Sequence, residues 1–349
     1  LRNFIDMRIL SFLFIFLLLA SCSEKIGRTE FTSVEIEDVF VDSTSIRAIE
    51  FLDQSTLAFA GSDGLYGTVD ISSGKVRTNV MEYDIITPSF RAIGHTSSDF
   101  FMLSIGSPAL LYKTGGQGKM ELVYKEEGEA VFYDSMTFWD NKEGVAVGDT
   151  VEGCLSIIIT RDGGKTWRKI SCSELPEGIE GEGAFAASNT NVEVKGDQAW
   201  IATTEGRIYY TKDKGKTWEV VTTPMMNDVP TQGIYSIDFY DENLGVAIGG
   251  DYTRPEVNKG NKIITNDGGL SWKSIAEGEL PNYRSCIQFI PNSDGKGIVA
   301  VGFTGIVYSF DGGLKWKQLS DEGFYTVRFL SDTVAYAAGK NRISKLTFK

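Results

Sequence analysis

The chain of 349 residues holds one histidine, His95, and only eight prolines beside 38 glycines. A single His excludes the common multi-histidine metal centres, and no metal site is expected. It also leaves a Ser-His-Asp triad with one available base, and no Gly-x-Ser-x-Gly elbow exists to serve it. Basic residues are short as well. The 34 Lys and Arg face 47 Asp and Glu, a formal charge of −13, the reverse of what a nucleic-acid binder presents to phosphate. Beyond the N-terminus no apolar run of period 3.6 survives the glycines, which excludes long helices. What remains is a globular composition, 42% hydrophobic and 12% aromatic. With so much Gly, it points to many short strands joined by tight turns.

One octet recurs four times and organises the chain. It reads Thr160-Arg161-Asp162-Gly163-Gly164-Lys165-Thr166-Trp167, then Thr211-Lys212-Asp213-Lys214-Gly215-Lys216-Thr217-Trp218. The third is Thr265-Asn266-Asp267-Gly268-Gly269-Leu270-Ser271-Trp272, and the fourth is Ser309-Phe310-Asp311-Gly312-Gly313-Leu314-Lys315-Trp316. The four aspartates lie 51, 54 and 44 residues apart, a propeller-blade period. Each part of the octet suits a hairpin turn. The Asp accepts backbone N–H groups, the fifth-position Gly takes a positive φ, and the Trp packs between sheets. The octet is similar to the Asp-box, or BNR, repeat, so Asp162, Asp213, Asp267 and Asp311 read as structural residues rather than acids or metal ligands.

Strand patterns around the boxes extend the repeat. Two weaker copies precede the boxes, at residues 45–80 and 90–125, and a last copy from Phe324 supplies three strands. A fourth strand for that copy is available at residues 31–41, where Val34 and Ile36 alternate with acids. Pairing the two ends would remove an exposed edge. The expected fold is all-β: a seven-bladed β-propeller of four-stranded blades, closed by the N-terminal strand joining the C-terminal blade. Residues 31–349 then form a single domain.

The residues ahead of that domain read as an address. Met7-Arg8 precedes an apolar run at residues 9–18, too short to span a bilayer stably. The following Leu19-Ala20-Ser21-Cys22 resembles the bacterial lipobox. That resemblance implies a signal peptide at residues 1–21, lipidation of Cys22 and a tether at residues 22–30. The expected location is the bacterial cell envelope, at a periplasmic face or the cell surface, with membrane contact through the lipid alone. Each buried CH₂ of such an anchor contributes ~0.8 kcal/mol. In an exported compartment Cys154 and Cys172, which flank the turn at Arg161-Asp162-Gly163-Gly164, form either a disulfide or two buried thiols. Cys286 is left unpaired.

In a propeller, residues early in the first strand of each blade converge on one face with those just after the second strand. Arg47, Arg91, Asp134, Tyr235, Arg284 and Tyr325 form the first group; Asp149, Asp251 and Tyr252 form the second. Two connections on that face read as long loops, residues 149–153 and 251–260, and long loops on a rigid scaffold carry binding. Three arginines near acids and tyrosines suit a carboxylate, a sulfate or a peptide acid. The alternative is a rim of solvated charges satisfying one another. Gly181-Glu182-Gly183-Ala184-Phe185-Ala186 matches a dinucleotide fingerprint by letters, but neighbouring glutamates would repel a pyrophosphate and no helix follows. His95 stands where other repeats carry Phe51 or Phe239 and reads as a packed core residue.

From Ser45 onward the chain resembles the photosystem II stability and assembly factor-like family of BNR-repeat propellers. The resemblance rests on Phe90-Arg91-Ala92-Ile93, Phe138-Trp139-Asp140 and Gly183-Ala184-Phe185-Ala186-Ala187-Ser188-Asn189. It continues through Gly245-Val246-Ala247-Ile248-Gly249-Gly250-Asp251-Tyr252 and Arg284-Ser285. It implies a propeller that binds a protein or small anionic ligand without a cofactor. Photosynthetic relatives act as assembly chaperones through an arginine patch, to which Arg47, Arg91 and Arg284 would correspond.

Two functions follow. The first is a lipid-anchored, monomeric, non-catalytic scaffold that holds an unidentified protein or an anionic or glycan ligand at its channel mouth. Its binding residues are Arg47, Arg91, Arg284, Asp149, Asp251, Tyr252 and Tyr235. The second is a glycan-active hydrolase on the same face using Asp134, Asp149 and Asp251, similar to sialidases, which differ in having six blades and an Arg-Ile-Pro segment where this chain has only Ile46-Arg47-Ala48. They separate on whether a carboxylate pair stands beside the arginines at ~5–5.5 Å or ~6.5–9.5 Å.

Overall fold

The computed structural model describes residues 30–349, of which Thr32–Lys349 form one compact unit. Cys22 and the signal segment lie outside the described residues, as does all but the last residue of the tether. Strands dominate. Among the described residues, helix is confined to two single 3-10 turns, Gly116–Gly118 and Cys172–Glu174, and no helix is long and apolar enough to cross a membrane.

The strands form six antiparallel sheets in a β-propeller. Five have four strands each, over residues 90–126, 133–169, 192–222, 234–274 and 286–320. The sixth has six strands, in the order Thr326–Phe329, Val334–Phe348, Val34–Asp53, Thr56–Gly61, Leu65–Asp70 and Val76–Val80. The seven separate blades expected from the repeat are therefore six hydrogen-bonded sheets. Val34–Asp53 is the reason. Its first part pairs with the C-terminal strand, from Val34 opposite Phe348 to Ser45 opposite Lys340. From Ile46 opposite Gly61 it pairs with Thr56–Gly61 instead.

The cores lie between neighbouring sheets. Between the sheets at 90–126 and 133–169, Phe101, Leu103, Met136, Ile158 and Trp167 pack together. Phe101 sits 4.7 Å from Phe138, whose ring meets Trp167 edge-on at 5.8 Å. A fully buried side chain such as Phe101 contributes roughly 1.5–3 kcal/mol. The box turns support this packing. Asp162 Oδ1 accepts from Thr166 N at 3.0 Å and Oδ2 from Thr166 Oγ1 at 2.7 Å, while Gly164 N donates to Thr160 Oγ1 at 2.8 Å. Asp213 and Asp267 hold their turns in the same way, and Asp311, with Lys315 in place of the hydroxyl residue, keeps the backbone contact from Lys315 N. Gly164 has φ 75°, and a Cβ there would stand 2.2 Å from Phe101, so only glycine fits. Cys154 and Cys172 are joined by a disulfide, and Cys286 is free and buried.

The innermost strands splay around the axis and have no ladder between them, so their inward amides need other partners. Side chains of neighbouring strands supply several. Ser236 Oγ accepts from Ile287 N (2.9 Å), Asp238 Oδ2 from Phe289 N (2.5 Å) and Gln288 Oε1 from Phe329 N (3.3 Å). The rest converge on residues 188–190, which cross the channel before entering the strand Val192–Lys195. Ser188 Oγ donates to Ser285 O (2.7 Å), and Ser188 O accepts from Thr326 Oγ1 (2.9 Å). Asn189 Oδ1 accepts from Met136 N (2.9 Å), and its Nδ2 donates to Ile93 O (2.8 Å). Arg328 donates to Asn189 O (3.3 Å), and Ile237 N to Thr190 O (2.8 Å). This plug links all six sheets. Its approach is held by Glu182, fully buried, which takes Arg207 Nε at 3.0 Å, Thr203 Oγ1 at 2.8 Å and Tyr209 OH at 3.1 Å.

Asn189 has φ 59°, a left-handed conformation that Asn tolerates better than most residues. Asn189→Gly keeps that backbone but strands Met136 N and Ile93 O, each costing about 1–3 kcal/mol. Urea denaturation of this variant is expected to show a loss of about 2–6 kcal/mol, and wild-type stability would contradict the plug's role.

Candidate functional site

The starts of the inner strands surround a cavity of about 420 Å³ above the plug. Arg47, Arg91, Tyr235, Tyr252 and Tyr325 line it, joined by Phe132, Phe185, Tyr283 and Phe303. Its floor is the backbone of residues 184–187, the run leading into the plug. Phe185 stacks on Tyr235 with centroids 3.6 Å apart, and Tyr283 meets Tyr235 edge-on at 4.9 Å. Tyr235 OH is tied to Thr231 O at 2.8 Å. These rings form a stiff aromatic wall, with Tyr252 and Phe303 partly exposed at its rim.

The arginines are held but not neutralised. Arg47 lies over the Tyr325 ring, 3.8 Å from its centroid, and reaches Ala187 O at 3.5 Å. Arg91 donates to Ala186 O at 2.9 Å. The Nε of each is buried without a hydrogen-bond partner. Among the described residues neither guanidinium forms an ion pair. Burial, and then the charge of Arg47, push Arg91 down to about 10. The rim of mutually satisfied charges is thus not what these two residues form. Two cations facing each other in an aromatic box favour an anion, which would receive strong charge-assisted hydrogen bonds.

Several expected members are elsewhere. Arg284 is 2% exposed and turned into its own sheet, where it donates to Tyr283 O (2.8 Å), Thr304 Oγ1 (2.6 Å) and Gln318 Oε1 (3.2 Å). Asp251 is consumed locally: its Oδ1 accepts from Thr253 N (2.9 Å) and its Oδ2 from Arg254 Nε (3.0 Å). Despite burial, these hydrogen bonds hold its carboxyl well below the usual range. Asp251 therefore shapes the loop that presents Tyr252. The presumed long loop at 149–153 is a tight turn, because the strand Gly144–Val151 continues to within two residues of Cys154–Thr160. His95 is half-buried and lines a different cavity, not a core.

Asp134 and Asp149 are neighbours beneath residues 183–184, and neither lines the aromatic cavity. Asp134 is fully buried with no donor for either oxygen, while Asp149 Oδ1 accepts from Ala184 N at 3.3 Å. Burial, reinforced by the Asp149 charge, pushes Asp134 well up, and burial pushes Asp149 up to about 6. The folded protein thus holds a proton on Asp149 more tightly than the unfolded chain, whose ordinary value is 3.8. This group's contribution to stability falls as pH rises from about 4 to about 6 and stays low above that. Asp149→Asn keeps an acceptor for Ala184 N without the charge. Melting temperatures measured across this range should show the variant gaining on wild type as pH rises; a pH-independent difference would contradict the assignment.

Residues 155–279 match the family model described as Sortilin, neurotensin receptor 3 (Sortilin-Vps10). No curated protein matches the chain. Among solved structures, YCF48 bound to D1 peptide is similar over 92% of this chain and 97% of its own, with a TM-score of 0.65 and 15% identity. YCF48 from Cyanidioschyzon merolae is similar over 90% and 99%, with a TM-score of 0.62 and 13% identity. The WD40 repeats of RRP9 are similar over 92% and 100%, with a TM-score of 0.63 and 11% identity. At such identities the likeness shows the fold, and that fold is the β-propeller.

Proposed function

We propose that this protein is a lipid-anchored envelope propeller acting as a non-catalytic, assembly-factor-like scaffold, which holds an acidic segment of a protein partner in the aromatic cavity. The observation that carries this reading is the pair Arg47 and Arg91, short of anionic partners within a box of rings. A carboxylate entering between them replaces mutual repulsion with two charge-assisted contacts, while Tyr235, Tyr252 and Tyr283 offer apolar area to the flanking residue. YCF48 has been solved with a D1 peptide, and a peptide ligand is the extension made here to this chain. Glycan hydrolysis is the weaker reading, because no carboxylate lines the cavity.

The remaining parts of the reading concern architecture and address. The six-stranded sheet is best counted as two blades, giving seven, with the N-terminal strand completing the last one. Two features support this count. Phe348 N donates to Thr333 O at 2.9 Å, although a straight strand of that length would part them by ~50 Å. Asn341, with φ 67°, marks the reversal. The lipobox-like Leu19-Ala20-Ser21-Cys22 supports attachment through Cys22 and a periplasmic or surface location.

Fluorescence anisotropy with labelled peptides bearing acidic or amidated side chains tests the binding site. The acidic peptides are expected to bind wild type, and Arg47→Ala/Arg91→Ala to bind them at least about tenfold more weakly. Equal affinities in wild type and variant would remove this site from the account.

A further inference from the structure

A second cavity, about 700 Å³, opens where the inner strands end, below the plug. It shares no residue with the aromatic cavity, and Asn189 and Thr190 form part of its lining. Five charged side chains face it: Glu50, Glu193, Lys195, Asp238 and Arg328. Arg328 is fully committed, with Nε on Glu50 (3.0 Å), Nη1 on Thr326 Oγ1 (3.1 Å) and Nη2 on Asn189 O (3.3 Å). Lys195 pairs with Glu193 at 3.2 Å. Asp238 is left over. It is 7% exposed, only its Oδ2 is engaged, by Phe289 N, and its Oδ1 has no hydrogen-bond partner.

Lys195 and Arg328 both act on Asp238 as counter-charges, but three carboxylates against two cations leave one negative charge in surplus in this cavity, and a buried surplus charge favours a bound cation. Burial, and then the Glu193 charge, push Asp238 up to about 7 against the opposing pull of Lys195, the Phe289 N–H and Arg328. A hard metal ion needs several oxygen ligands, and no group of three or more His, Cys, Asp or Glu suited to a metal exists among the described residues. A ligand that brings its own N–H donors meets the requirement with Asp238 and Glu193 alone. Tyr240 and Pro291, both partly exposed, offer apolar surface for a short carbon chain.

We propose that this second cavity is a binding site for a small primary-ammonium compound, its nitrogen donating to Asp238 Oδ1 and Glu193 and its carbon chain directed to the mouth. The site is independent of the aromatic cavity and of the partner proposed for it.

The probe is n-butylammonium, titrated calorimetrically at low salt against n-butanol, butyrate and tetramethylammonium. Wild type is expected to bind n-butylammonium saturably and none of the other three. Asp238→Asn keeps an acceptor for Phe289 N and should bind n-butylammonium at least about tenfold more weakly. Lys195→Gln removes the competing ammonium and should bind it more tightly. Absence of saturable binding to wild type would overturn the proposal, as would equal binding of tetramethylammonium or undiminished binding to Asp238→Asn. Should Asp238→Asn fail to fold, unchanged or weaker binding to Lys195→Gln would overturn it instead.

Discussion

A ring of radial sheets leaves its innermost backbone edges without a ladder partner, and here the segment at residues 188–190 resolves that constraint. Ser188, Asn189 and Thr190 provide side-chain and backbone groups to strands of four other sheets and to Ser285, the residue entering the strand Cys286–Phe289 of the fifth. The cost of leaving such buried groups unmade exceeds the net gain of an ordinary hydrogen bond. The plug is therefore a condition for the ring. The Glu182–Arg207 contact holds its approach from the solvent side.

Because the plug blocks the axis, the channel becomes two blind cavities of opposite character. Above it, carbonyls of residues 186 and 187 hold two arginines in an aromatic box. Below it, Arg328 binds Asn189 O and Glu50, and Asp238 is left as the surplus charge. One stretch, residues 184–190, thus lies between a cavity that holds two arginines and one that holds a surplus carboxylate. The acid pair Asp134 and Asp149 sits beneath the same run, so its protonation bears on the upper floor.

Much of this was legible in the residues. The octets mark turns because Asp, Gly and Ser or Thr each have a hydrogen-bonding or φ role there. Arg47, Arg91 and Tyr235 were legible as residues early in an inner strand segment, and each stands four residues before a ring at or near that strand's end: Phe51, His95 and Phe239. Counting back from Phe289 in the same way reaches Ser285, not Arg284. That slip of one residue sends the Arg284 side chain to the other face, and Tyr283, two residues from Ser285, fills the cavity instead. The lower cavity also had a signal. The residue just before the terminal ring is Glu50, Asp238, Gln288 or Arg328 in four strands, a polar layer that single-strand alternation does not reveal. The plug had none, since its partners lie 46 to 139 residues away along the chain. The sheet count differed because one strand, Val34–Asp53, pairs first with the C-terminal strand and then with Thr56–Gly61, so both sets of strands join in one sheet.

The central claim is that residues 188–190 are a rigid joint and not a loop lying in the channel. Hydrogen–deuterium exchange in the unliganded protein tests it most directly. The account predicts that the amides of Met136, Ile237 and Ile287, whose acceptors are Asn189, Thr190 and Ser236, exchange only through global unfolding, together with the sheet cores. Exchange of these amides at the rate of exposed turns, while the sheets stay protected, would contradict it.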